Sequence, residues 1–310
     1  MSAYSDVCII GGGSVGASLA YFLYRAGLKG VPVYYASWES VEAVKKQGGI
    51  LVVDKPRGLE ALVPVEPRHY SAPADRCRFL LNAVKAYDVE ESLGLASRIA
   101  APGAVLVMLQ NGFGPLELAE ERLGGHLTVA GGVVFFGAER VERAKVVYHG
   151  GDAVVAGCRR APCGELSELS RLFRAGGLDF RVVSDVDRYR WLKLALNAVV
   201  NPLTALARGR NKVVLSEEGV ELASLIISEV CEAARKHGYE LDAERLLDYV
   251  LRSVKSVAEN TSSMAQDLAS GRRTEVEFIN GFVARELGRP LSVNRVLELL
   301  VKLAERASRT

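Results

Sequence analysis

The run Val7-Cys8-Ile9-Ile10-Gly11-Gly12-Gly13-Ser14-Val15-Gly16-Ala17 decides the fold of the first half of the chain. Its four leading apolar residues read as a short buried strand, and Ala17 to Ala26 as a helix closed near Gly27. Between them Gly11, Gly13 and Gly16 form a G-x-G-x-x-G spacing, a weak motif that gains meaning from this strand-turn-helix setting. Gly11 permits the tight turn, Gly13 withholds a side chain from an approaching pyrophosphate, and Gly16 lets helix and strand come close. The free amides of Ser14, Val15 and Gly16 at the helix start then face phosphate. A turn shaped by glycine for its own sake would use the same residues, but strand, spacing and helix together favour nucleotide binding.

Further strands are expected at Val31 to Ala36, Phe79 to Ala83, Ala104 to Leu109, Val129 to Phe136, Ala144 to Tyr148 and Ala153 to Ala156. Their alternation with helical stretches predicts a parallel sheet with helices on both faces. From about Val183 the pattern turns helical: one segment running to Asn201 before Pro202, one from Ser216 to His237 with Gly238 as its cap, and two at about 274–287 and 292–306. Residues 1–180 therefore read as an α/β, Rossmann-type dinucleotide-binding domain and 181–310 as an all-α domain. Chemistry is expected in the groove joining them.

Across 310 residues, 39 basic and 37 acidic side chains leave a formal charge of +2, which calls for neither nucleic acid nor an anionic membrane as partner. The N-terminal residues lack the basic start and long apolar run of a signal peptide, so a cytoplasmic protein is expected. Cysteines at 8, 77, 158, 163 and 231 match no metal spacing and read as small buried hydrophobes. Cys158 and Cys163 are near enough in sequence to bridge if the backbone allows, which a reducing compartment disfavours. The histidines at 69, 126, 149 and 237 show no metal spacing either, and neither a metal nor a covalent intermediate is expected.

Between Trp191 and Leu206 the chain reads WLKLALNAVVNPLTAL, with Lys193, Asn197 and Asn201 recurring every four residues. That spacing drifts about 40° and rises about 6 Å per step, so the three side chains line one face of an otherwise apolar helix. Buried without partners they would cost several kcal/mol. One reading surrounds a small polar ligand, with Lys193 giving a proton to a carbonyl oxygen as hydride reaches its carbon; another is an interhelical hydrogen-bond network with a snorkelling lysine. Ser262 and Ser263, in a cluster that precedes Glu275, can bind a substrate carboxylate or cap a helix, and Glu275 can pair with Lys193 or hold a hydroxyl. Lys85 and Asn111 each follow a buried strand at its carboxyl end, where ligands gather in open sheets. The second strand ends in Ala36-Ser37-Trp38, with Glu39 just beyond and no arginine. Ser37 can bond a ribose or phosphate there, Lys45 or Lys46 can add charge if their helix turns inward, and NADPH and NADH both remain open.

Taken together, GGGSVG at 11–16, NAVKAYD at 82–88, QNGFG at 110–114, WLKLALNAVVNPLTAL at 191–206 and SSMAQDLASGRRTEVEFINGF at 262–282 resemble the ketopantoate reductase (2-dehydropantoate 2-reductase) family over nearly the whole chain. The resemblance implies a Rossmann domain followed by a helical domain like the C-terminal domain of 6-phosphogluconate dehydrogenase. It implies reduction of ketopantoate to pantoate, usually with NADPH, in the route to pantothenate and coenzyme A. It assigns Lys193 as general acid and Glu275 as the acidic residue that binds the substrate hydroxyl or orients the lysine. Asn197, Asn201 and, more weakly, Asn211 match substrate-holding asparagines, Ser263 (or Ser262) the serine near the carboxylate, and Lys85 and Asn111 cofactor contacts that help set the closed site. Ser37 and Trp38 depart from the pattern, since many relatives carry an arginine there for the 2'-phosphate. The apolar helices of the second half suit either a homodimer or simply a domain core.

Overall fold

A computed structural model describes residues 4–72, 76–160 and 163–308. The chain divides into two compact units, Met1–Gln110 with Pro115–Asp187, and Asn111–Gly114 with Arg188–Thr310. The crossover lies at Asp187/Arg188 rather than at 180, and four residues from the middle of the first unit's sequence belong to the second.

The first unit runs β1 (Tyr4–Ile10), α1 (Ser14–Arg25), β2 (Val31–Tyr35), α2 (Trp38–Gln47), β3 (Ile50–Asp54), β4 (Leu59–Val63), β5 (Val65–His69), β6 (Arg76–Asn82), α3 (Val89–Ile99), β7 (Ala100–Met108), α4 (Pro115–Leu123), β8 (Thr128–Glu142), β9 (Lys145–Gly157), α5 (Leu166–Ala175) and β10 (Asp179–Val182). These strands form one sheet in the order β4-β3-β9-β8-β7-β6-β1-β2-β5, with β10 on β9. Six of them, β8 through β5, are parallel. The sheet as a whole is mixed, because β8–β9 and β3–β4 are antiparallel. Three strands expected between 129 and 156 are in fact two long ones joined by Arg143-Ala144, a connection too short for a parallel crossover. Alternation along β1 sends Val7 and Ile9 to the core shared with α1 and α5, and Cys8 and Ile10 to the core shared with α3 and α4.

Four of the five cysteines are paired, contrary to the reading from sequence. Cys8 and Cys77 form a disulfide, with Cα atoms 5.9 Å apart on adjacent strands β1 and β6, an adjacency hidden by 69 residues of separation. Cys158 and Cys163 are bridged at the same Cα distance, and Cys231 is free and buried.

The second unit holds α6 (Val186–Ala207, from Arg188 onward), α7 (Glu217–Lys236), α8 (Ala243–Ser256), α9 (Ser263–Ala269), α10 (Asn280–Leu287) and α11 (Val293–Ala307). Helix α6 does not stop before Pro202 but passes through it. A proline at 202 cannot donate to the carbonyl of Ala198, and the structure supplies a substitute: the fully buried Asn280 donates its Nδ2 to that oxygen at 2.9 Å. Asn280 also donates to Asn294 Oδ1, and Asn294 in turn donates from its amide and side chain to Glu229, whose carboxylate caps the start of α11.

The single helix expected over 274–287 is a short 3-10 turn, Val276–Phe278, followed by α10. The Phe278 carbonyl accepts from the Phe113 amide at 3.0 Å, and this bond goes with the break in the helix at Ile279. Apolar residues at 223, 226, 227, 230 and 234 on α7 and at 246, 250 and 254 on α8 supply the buried stripes of this core. Among the described residues no helix is long and apolar enough to cross a membrane.

Candidate active site

In the first unit, β1 is followed by β2 on one side and flanked by β6 on the other, so the order of strands reverses beside β1. Carboxyl ends of strands at such a reversal are where open α/β sheets bind ligands. The glycine turn stands there. Gly11 has φ +95°, its amide donates to Tyr34 O at 2.9 Å, and a Cβ on it would come within 2.8 Å of the Val84 amide nitrogen. A Cβ on Gly16 would strike the Gly11 carbonyl, and one on Gly12 the ring of Tyr35. A Cβ on Gly13 would meet nothing within 4 Å. Gly13 is therefore the one motif glycine kept bare for something other than packing, and α1 behind it has no acidic residue in its first turn. Open space over uncompensated helix-start amides fits a pyrophosphate.

On the other side of the reversal, Gln110 ties the ends of β6 and β7 together. Its Nε2 donates to Asn82 O at 3.0 Å, Asn82 Oδ1 at 3.1 Å and Val84 O at 3.2 Å. Lys85 follows directly, half-buried and extended before the short turn Ala86–Asp88. Ser37 caps α2, accepting from the Ser40 amide at 3.3 Å and donating to Ser40 Oγ at 2.8 Å. Lys45 and Lys46 lie in the last turn of that helix, about 12–14 Å along its axis from Ser37.

In the second unit the polar face of α6 finds its partners. Asn197 Nδ2 donates to Asn111 Oδ1 at 3.1 Å, and Asn111 Nδ2 donates to Glu275 Oε2 at 3.2 Å. Asn111 thus joins an asparagine and a carboxylate that are both buried. Lys193, one helical turn before Asn197, is half-buried, and burial pushes its ammonium down to about 8. One turn after Asn197, Asn201 is only 5% exposed, and its side-chain amide takes no hydrogen bond from any described residue.

Ser262 is buried, caps α9 through the Ala265 amide, and shares a 2.6 Å hydrogen bond with Thr204 of α6. Its hydroxyl is engaged, whereas Ser263, the first residue of α9, is exposed. Asn211 has other partners: its amide donates to Asn260 O and its Nδ2 to Val257 O at the end of α8, leaving Oδ1 buried with no partner among the described residues. The sequence reading missed Thr204, although it extends the 193–197–201 series by three positions. It also missed Asn280, whose role depends on a proline 78 positions earlier.

A bare glycine turn on the parallel strands of the sheet, with a lysine–asparagine–glutamate group on a helical unit, defines a nicotinamide-dependent oxidoreductase. The family described as ketopantoate reductase PanE/ApbA matches residues 7–161, and its C-terminal counterpart matches 185–305. The 2-dehydropantoate 2-reductase of Archaeoglobus fulgidus is 34% identical over 307 residues, spanning 96% of this chain and 97% of that protein. A PanE/ApbA family ketopantoate reductase from Ralstonia eutropha JMP134 superposes with a TM-score of 0.85 at 26% identity, over 99% of this chain and 100% of that one. A D-mandelate dehydrogenase solved with NADH and anilino(oxo)acetate gives 0.90 at 19% identity, over 99% and 100%, and shares the fold. The chain belongs to the ketopantoate reductase PanE/ApbA family and is an NAD(P)H-dependent oxidoreductase of that family.

Proposed function

We propose that the protein is a cytoplasmic 2-dehydropantoate 2-reductase, converting ketopantoate to pantoate on the way to pantothenate and coenzyme A. The observation that carries this reading is the group around α6: a lysine shifted to about 8, an asparagine amide with no partner among the described residues, and a carboxylate oriented through Asn111. Bound NADPH or NADH supplies a hydride to the ketone carbon. Lys193 gives its proton to the ketone oxygen, and an acid with a pKa near neutrality keeps that transfer close to balanced. Asn201 and Asn197 hold the substrate, the Glu275 carboxylate accepts from its hydroxyl, and Ser263 donates to its carboxylate because the Ser262 hydroxyl is taken. Gly11, Gly13, Gly16 and Lys85 hold the dinucleotide.

Mixing the protein with ketopantoate and each reduced cofactor, and following loss of reduced-nicotinamide absorbance, tests this directly: no consumption with either cofactor overturns it. Since a D-mandelate dehydrogenase shares the fold, a panel of 2-oxoacids under the same conditions belongs in the assay, and a clear preference for another 2-oxoacid would reassign the substrate. For assembly, we propose a homodimer through α11, which exposes Val296, Leu299, Leu300 and Leu303 at i, i+3, i+4 and i+7. Light scattering that returns a monomer would refute it.

A further inference from the structure

The chain has two tryptophans, and they differ sharply in setting: Trp191 is fully buried, whereas Trp38 is 54% exposed. Exposed as it is, Trp38 is held in place. Its ring stacks on His69 with centroids 4.3 Å apart and planes within 8° of parallel. His69 is fixed in turn, with Nε2 2.9 Å from the Ala36 carbonyl and Nδ1 accepting from the Ser71 amide at 3.1 Å. Both ring nitrogens are spent on holding the imidazole flat under the indole. The result is a two-layer aromatic shelf whose tryptophan is more than half exposed.

The shelf stands on the same sheet edge as the glycine turn. Tyr34 of β2 pairs with Ile10 of β1 and accepts from the Gly11 amide, and Tyr35 pairs with His69 of β5. A dinucleotide whose pyrophosphate lies on the Gly13 side of that turn extends one nucleoside toward the end of the second strand.

Charge at this edge is equally specific. Residues 36–39 read Ala-Ser-Trp-Glu, with no cation and with Glu39 exposed. The Ser37 hydroxyl is engaged by Ser40. Arg68 pairs with Glu66 at 2.8 Å, and strand alternation puts both on the face of β5 opposite His69. A 2'-phosphate here would bring a dianion next to the Glu39 carboxylate, where residues 36–39 offer no cation and the Arg98 guanidinium beside the shelf is engaged on the Tyr70 carbonyl, while a 2'-hydroxyl meets no such cost.

We propose that the Trp38–His69 pair is the stacking shelf for the adenine of the dinucleotide, and that this edge selects NADH over NADPH. The proposal rests on the reductase reading above and deepens its cofactor assignment. ADP-ribose, which carries the adenine but no nicotinamide, separates the shelf from the chemistry. Titrated into the protein, it should quench the exposed tryptophan emission. Calorimetry should show its affinity falling at least about tenfold in Trp38→Ala but staying near the parent in Trp38→Phe, as base–aromatic stacking requires. NADH should bind at least about tenfold more tightly than NADPH, and Trp38→Arg should narrow or invert that ratio by supplying the missing cation. Equal or tighter binding of NADPH by the parent protein, or unchanged ADP-ribose affinity in Trp38→Ala, would overturn the proposal while leaving the reductase reading intact. Failure of every dinucleotide to bind would overturn both.

Discussion

The glycine turn of the first unit and the polar face of α6 in the second are built from opposite materials. The turn offers backbone, and its sequence requirement is that side chains be missing at Gly11, Gly13 and Gly16. The face of α6 offers side chains, and their arrangement depends on Asn111, which reaches Asn197 across 86 positions and Glu275 across 164. A site made of backbone is carried whole in one short motif, while a site made of side chains depends on partners that only the tertiary fold delivers.

The contrast predicts separable failures. The largest effect is expected from Lys193→Ala, which should lower kcat about a thousandfold, roughly 4 kcal/mol of transition-state stabilisation, with dinucleotide affinity unchanged. A parallel loss of affinity in calorimetry would show that the two regions do not divide the labour in this way. Gly13→Val should do the reverse, weakening dinucleotide binding about a hundredfold while leaving the melting temperature near that of the parent, because its new side chain meets no protein atom within 4 Å at Cβ. Gly16→Ala, whose Cβ strikes the Gly11 carbonyl, should cost about 1–3 kcal/mol of stability as well.

Next in size, Asn280→Ala should cost about 1–3 kcal/mol in denaturant unfolding by stranding the Ala198 carbonyl. Adding Pro202→Ala should recover part of that loss, since residue 202 then has an amide to give; strict additivity in the double variant would refute the coupling. The smallest effect is a matter of pH. Because burial lowers Lys193 to about 8, its protonated, acid-competent form disappears above that point. The kcat/KM for reduction should therefore fall about tenfold per pH unit beyond about 8, and that for the reverse oxidation should rise on approaching it. A profile flat through pH 8 would remove Lys193 from proton transfer.

The same contrast explains what the sequence disclosed. The strand, glycine turn and helix at the start of the chain are local, and the structure has them in that order, with the strand beginning at Tyr4 and the helix at Ser14 rather than Ala17. The lysine and asparagines of α6 were legible as a face, yet composition could not say whether that face met a ligand or a neighbouring helix. Strands β3, β4 and β5 went unread because they are short and sit toward the two ends of the sheet, with β4 carrying exposed Leu59 and Leu62 that break any apolar pattern. Helix α8 was missed despite a usable signal, an Asp242 cap followed by Leu246, Val250 and Val254. The Cys8–Cys77 bridge and the Asn280–Ala198 bond depend on neighbours in space that have no trace in spacing.

The loan of Asn111–Gly114 to the second unit makes the molecule indivisible by any single cut. A polypeptide beginning at Arg188 would be missing Phe113, whose ring lies 4.7 Å from Phe282 and 4.5 Å from Trp191, and would be left with a hollow core. It would also keep Lys193 while losing Asn111, the amide that joins Asn197 to Glu275. Swapping helical halves between relatives therefore transfers Asn197 and Glu275 without the amide that joins them, so productive recombination has to carry the QNGFG loop along with the helices it serves.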